Sequence, residues 1–198
     1  MTAPKRLPPG PHLDLLMEAL DAEAGAQRAL LDGDTPTAAH MFDAAARRYR
    51  ASYECAPPAS YGRLVGMLKA AIIAGSPADA VAFARQALAD AAATPTAGYA
   101  IAIAALVDGD GETARRGAEL MRGGDERFAR TADAITALVD GDGAAYEQSC
   151  RAIVTDFEER SEHLTGVAIA DTAVVLEILA ADRGLACHPV SPVMPVPA

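Results

Sequence analysis

Tryptophan and asparagine are absent from the 198-residue sequence, lysine occurs only as Lys5 and Lys69, and aromatic residues make up 5%. Aromatic and β-branched residues are the usual strand formers, so a chain this poor in them is badly supplied for a sheet. Cysteine is scarce too. Cys55, Cys150 and Cys187 are odd in number, far apart and never spaced C-x-x-C, which argues against a disulfide framework or a zinc knuckle and for a reducing, cytoplasmic setting. No apolar run reaches the roughly 20 residues of a membrane span. The most apolar stretch, 164–181, is broken by Asp171 and Glu177. Lys5 and Arg6 are followed by Pro-Pro-Gly-Pro rather than an apolar run, so no secretory signal is expected. The sequence also lacks G-x-S-x-G, a phosphate loop, a paired-glycine nucleotide fingerprint and H-E-x-x-H.

What the sequence has in abundance is alanine, 47 residues of the best helix former, within a composition that is 51% hydrophobic. The length suits one globular domain. Seventeen Lys and Arg against 27 Asp and Glu give a net charge of −10, which repels a phosphate backbone, so no nucleic-acid partner is expected. Asp outnumbers Glu 16 to 11. With so little lysine, this bias resembles proteins of GC-rich genomes and of salt-loving archaea.

A repeat organises the chain. Ala-Leu-Val-Asp-Gly-Asp-Gly occurs at 105–111 and again at 137–143, with weaker copies at 29–34 and 71–76. The four glycines, Gly33, Gly75, Gly109 and Gly141, are separated by 42, 34 and 32 residues, the range of stacked helical hairpins. The physics of the block is a stop followed by a start. Two bulky aliphatics end an apolar helix, and a glycine free to take φ > 0 closes its last turn. Asp34, Ser76, Asp110 or Asp142 then offers a side-chain acceptor to the free N–H groups of the next helix. Two helices so joined fold back antiparallel. Five residues after the glycines stand Ala38, Ala80, Ala114 and Tyr146; the three alanines leave room for close approach.

Over residues 15–160 this arrangement resembles the tetratricopeptide-repeat superfamily, whose hairpins run near 34 residues and carry small residues at the crossing. Ala38-x-x-x-Phe42 matches the family's second-helix pairing, and Ala80 with Ala87 occupies small-residue positions. The first-helix Trp, the Leu-Gly pair, the Tyr and the closing Pro of the family are missing. Ala29, Ala71, Ala105 and Ala137 fall where the Tyr would be. The resemblance implies a right-handed stack of hairpins acting as a binding platform; the rival arrangement is an irregular helical bundle with one duplicated hairpin.

The fold class expected is therefore all-α, with about nine helices at 12–31, 35–53, 59–74, 77–92, 96–108, 111–122, 125–139, 143–162 and 167–182. Residues 1–11 read as a disordered arm, 12–184 as a single domain, and 185–198, punctuated by prolines, as an apolar extended tail. That tail caps the last hairpin, frays, or docks Val190, Val193, Met194 and Val196 into a groove of this or a neighbouring chain.

In the stack the resemblance implies, the first helices of the hairpins line an inner face, placing Lys69, Ile72, Ile73, Tyr99, Ile103, Val107, Ile135 and Val139 on or near a groove for a protein or peptide partner. Apolar residues at helical spacing otherwise face neighbouring helices. The apolar helix 167–182 either fills that groove itself or, with the tail to 198, pairs two copies of the chain. Arg47, Arg48 and Arg50, near Tyr49, Tyr53 and Tyr61, form a candidate anion contact or a solvated helix face. Asp108, Asp110, Asp140 and Asp142 suggest a calcium loop, but the glycine required at its sixth position is Thr113 or Ala145, and turn chemistry accounts for the block. No metal or cofactor is expected. A protein-interaction module is the reading the repeats favour. The alternatives are an inhibitor or immunity-type protein with an acidic surface, and a small-molecule binder or enzyme using Glu159, Glu162, His163 and His188.

Overall fold

Alanine blocks ending in glycine give helices closed by one recurring hydrogen-bond pattern. The computed structural model describes residues 10–196. The terminal residues 1–9 and 197–198, which include most of the expected arm and the end of the tail, lie outside the described residues. Nine helices are present among those described, α1 (Pro11–Leu31), α2 (Thr35–Glu54), α3 (Gly62–Ile73), α4 (Ala78–Leu88), α5 (Pro95–Val107), α6 (Gly111–Met121), α7 (Glu126–Asp140), α8 (Gly143–Glu158) and α9 (Asp171–Ala181), with no strand. None is long and apolar enough to cross a membrane.

All four repeat glycines adopt φ between 71° and 80°. In each block the residue after the glycine donates its backbone N–H to the alanine carbonyl five residues back, at 2.8 Å (Asp34 to Ala29), 3.0 Å (Ser76 to Ala71), 2.9 Å (Asp110 to Ala105) and 3.0 Å (Asp142 to Ala137). The glycine N–H bonds one turn back as well. This double closure satisfies carbonyls that a helix end otherwise leaves free. Gly184 ends α9 the same way, with Leu185 N donating to Ala180 O at 2.9 Å. Asp34, Asp110 and Asp142 then open the next helices by accepting from Thr37, Thr113 and Ala145 N–H. Ser76 does not: α4 begins after Pro77 with no side-chain cap, because the proline's fixed φ already starts the helix.

The helices pack in chain order. α1/α2, α5/α6 and α7/α8 form close hairpins, α3/α4 a looser one. α2, α4 and α6 each also meet the following first helix, and α5 lies between α3 and α7. The tightest crossing is α5 on α6, where a Cβ on Gly117 would stand 2.7 Å from both the Ala102 nitrogen and the Gly98 oxygen. Tyr146 takes the fourth small-residue position and is fully buried there.

Four helices have ends that differ from expectation, each for a tertiary reason. Ala59 sits at φ +66°, which postpones α3 to Gly62. The chain leaves α4 after Leu88, and the Tyr61 hydroxyl accepts the Ala92 N–H at 3.1 Å. α8 stops at Glu158 because the following residues cross to α1, burying Val167 and Ile169 and donating the Thr165 hydroxyl to Gln27. α9 starts at Asp171 because the Ala170 N–H is bound by the Val193 carbonyl at 2.8 Å.

The C-terminal stretch forms no further hairpin among the described residues. Residues 159–170 return toward α1, and α9 then lies on α3, α7 and α8. Just past its end the Arg183 guanidinium donates to the Leu106 carbonyl of α5. The tail docks through Val193 and Met194, both buried, while Val190 and Val196 stand in solvent.

Candidate functional site

Where the returning stretch spans the first helices it leaves a cavity of about 230 Å³, lined by α1, α3, α5, α7, α8 and residues 160–172. Its floor is a buried polar cluster. The Lys69 ammonium donates to the Asp171 carboxylate and stands 3.5 Å from the Thr172 hydroxyl, to which the Tyr99 hydroxyl also donates at 3.3 Å. Glu23 accepts from the Tyr49 hydroxyl and from the Gln27 amide at 3.3 Å. Tyr49 can approach because its ring packs over Gly66, where a Cβ would meet it at 2.8 Å.

Electrostatics separates these groups. Burial raises the Glu23 pKa, and the nearby Asp171 carboxylate adds to the rise, against the opposing pull of Lys69. Burial disfavours the Lys69 charge, but Asp171, Tyr99 and Glu23 together outweigh it and raise the ammonium's pKa. Lys69 is therefore held charged at the floor while Glu23 is biased toward its neutral form. These groups are engaged with one another and give the floor a fixed shape.

The mouth carries the opposite imbalance. One carboxylate, Asp156 on α8, serves three guanidiniums: Arg130 at 2.6 Å, Arg160 at 3.0 Å and Arg127 at 3.9 Å. Arg160 also lies over the Phe157 ring, 3.6 Å from its centre, and His163 stacks on the same residue. Four cations thus line the cavity against three carboxylates in a chain whose net charge is −10. Apolar surface completes the wall, with Phe128, Ile153, Phe157, Val167 and Ile169 around it and Leu164, 83% exposed, at the lip.

The residues expected to line a partner groove are occupied by the chain itself. Ile103 and Ile135 are fully buried, Ile72 and Tyr99 are buried, and Ile73, Val107 and Val139 are half-buried against the core. Lys69 is bound to Asp171; of the eight, only Lys69 and Tyr99 reach the cavity. The cause is α9, whose Val174, Val175, Leu176 and Leu179 are buried within the same chain and fill the face that an incoming helix would need.

The expected arginine cluster does not converge on an anion. Arg47 pairs with Asp43, Arg48 with Glu18 at 3.3 Å, and Arg50 with Glu54 at 3.2 Å while lying over the Phe83 ring. Each positive charge already has a neighbouring carboxylate. Of the candidate acid–base residues, His163 lines the cavity; Glu159 and Glu162 are exposed outside it, and His188 lies beside Glu177. The groups that build the mouth, Arg127, Arg130, Asp156 and Arg160, were not singled out by sequence reasoning, although Arg127-x-x-Arg130 and Asp156-x-x-x-Arg160 have the spacing of helix neighbours. Comparison with known proteins finds no family model, no curated protein and no solved structure that matches the chain.

Proposed function

We propose that the chain is a receptor for a small amphipathic anion, a monocarboxylate in its simplest form, held with its charge at the arginine mouth and its apolar part along Phe128, Phe157 and Ile169. The observation that carries this reading is the sharing of Asp156 by three arginines. Asp156 and Glu126, which stands 3.7 Å from Arg130, set two carboxylates against three guanidiniums, and planar guanidiniums are suited to bidentate capture of a further carboxylate. The size agrees, since about 230 Å³ falls below the roughly 300–1,000 Å³ that houses drug-sized ligands and far below what a peptide helix needs. A partner-binding groove along the first helices is set aside because α9 packs on α3 and α7 and the residues expected to line the groove are mostly buried.

The test is calorimetric titration of the full chain with short aliphatic and aromatic monocarboxylates and, in parallel, with their neutral amides. At least one carboxylate binds saturably at one site per chain, its amide about tenfold more weakly or worse, and Arg127→Gln lowers the carboxylate affinity about tenfold. Arg127 is 63% exposed, so its replacement spares the core. Equal binding of acid and amide, or no saturable binding by any of the acids, overturns the proposal.

A further inference from the structure

On the side of α9 turned toward α8, four side chains of metal-ligating type come together that are scattered along the sequence. The Cys150 sulfur of α8 lies 3.9 Å from Glu177 Oε1 of α9, and the Cys187 sulfur lies 3.3 Å from the same oxygen. One ligand atom from each of Cys150, Glu177 and Cys187 falls within 4.8 Å of the others. His188 Nδ1 stands 3.8 Å from Glu177 Oε2. With zinc–sulfur bonds of roughly 2.3 Å and zinc–oxygen bonds of roughly 2.0–2.2 Å, the edges of a tetrahedral site measure about 3.5–3.8 Å. The carboxylate oxygen already lies near such an edge from each sulfur, at 3.3 and 3.9 Å, and the His188 ring, 71% exposed beside Glu177, has to turn in to join the three.

Two further observations concern Glu177 and His188. Glu177 is only 11% exposed, and its hydrogen-bond donors are neutral: the Tyr146 hydroxyl at 2.7 Å, the Cys187 N–H at 3.2 Å and the His188 N–H at 2.6 Å. Among the described residues no Lys or Arg forms an ion pair with it, and the His188 imidazole stands 3.8 Å away. A carboxylate this enclosed by neutral groups is short of positive charge. His188 itself is held at φ +48°, a left-handed conformation that a residue with a β-carbon enters at a cost, and in it the backbone N–H groups of both Cys187 and His188 turn onto Glu177.

We propose that Cys150, Glu177, Cys187 and His188 form a binding site for one thiophilic divalent cation, with zinc as the ion their donor set suits. Two sulfurs, one imidazole nitrogen and one carboxylate oxygen make a four-coordinate set for a borderline-soft metal, whereas calcium and magnesium take oxygen. Each thiol yields its proton to solvent as the sulfur binds, and the tail segment is clasped to α8 and α9 by the ion. Tyr146 and the two backbone N–H groups orient the carboxylate from behind.

The experiment loads the reduced, metal-free full chain with Co²⁺ and follows the visible spectrum, then titrates Zn²⁺ against a chromophoric chelator. One equivalent of Co²⁺ gives thiolate-to-metal charge transfer with the intense bands of a tetrahedral site, and Zn²⁺ displaces it. Cys187→Ser lies outside the helices and weakens zinc roughly 100-fold or more, while His188→Ala weakens it about 10- to 100-fold. Cys55→Ser, at an exposed cysteine, binds as the unaltered chain does. The proposal is overturned by no stoichiometric uptake, by cobalt spectra without thiolate charge transfer, or by unchanged zinc affinity in Cys187→Ser. Formation of a Cys150–Cys187 disulfide in air by a chain that takes up no zinc when reduced overturns it equally.

Discussion

Between Pro11 and Glu158 helix ends repeat one another: glycine at positive φ, a six-residue closure onto an alanine carbonyl and, in three of four cases, an aspartate cap. From Glu159 to Val196 glycines take positive φ at Gly166 and Gly184, but the closure onto an alanine carbonyl recurs only at Gly184, and the chain there is positioned by partners far away in sequence. Lys69 and Asp171 lie 102 residues apart, and Thr165 and Gln27 138. The hairpins are stabilised by local hydrogen bonding and by small residues at their crossings. The returning stretch is held by buried apolar side chains and a few charged contacts. Both candidate sites fall where the two regions meet, because only there do side chains of unrelated position converge.

The sharpest way to break the hairpin region is at its closest crossing. Gly117→Val places branched carbons where a single Cβ already meets Ala102 and Gly98 backbone atoms at 2.7 Å, so α5 and α6 must separate. We expect a loss of about 3 kcal/mol or more, the upper end for overpacking, read by urea unfolding. A loss within the ±0.5 kcal/mol of an ordinary surface change means the crossing is not so tight.

A smaller effect distinguishes the returning stretch from the hairpins by its pH dependence. Glu23 has a folded pKa raised above the ordinary 4.5, first by burial and then by Asp171, which belongs to the returning stretch. A carboxyl with a raised folded pKa favours the fold below about 4.5, and that contribution is lost as pH rises through the folded value. Glu23→Gln cannot titrate. Its stability relative to the unaltered chain therefore climbs as pH rises from 4.5 and levels off above the folded pKa, measured by urea unfolding at a series of pH values. A difference independent of pH places Glu23 in an ordinary solvated setting.

How much of this was legible in the sequence follows the same division. The helices and their glycine stops were readable because stop and start signals act within a turn or two: Leu106-Val107-Asp108-Gly109-Asp110 is enough to end one helix and begin the next. Where reading stumbled, a distant group intervened, as when the Val193 carbonyl captured the Ala170 N–H and delayed α9. The inner face was expected from the family resemblance, and what would cover it could not be read, since the apolarity of α9 suits self-burial and pairing with a second copy alike. The cavity mouth depends on α7 and α8 presenting Arg127, Arg130 and Asp156 toward one another. Cys150 and Cys187, 37 residues apart, carried no spacing signal because the α9 turn at Gly184, not a local loop, brings them together.

The returning stretch is seated on the first helices, and the pair that tests this most directly is Lys69 with Asp171, whose side chains are 12% and 18% exposed. A double-mutant cycle with Lys69→Met and Asp171→Asn, measured by urea unfolding, gives the coupling free of the effects of each change alone. Breaking such a buried pair from either side costs about 3–5 kcal/mol, while removing both costs well under the sum, so a coupling of at least about 1 kcal/mol is expected. Additive losses, with no coupling beyond error, would mean the two residues do not meet and the inner face is not covered by this stretch.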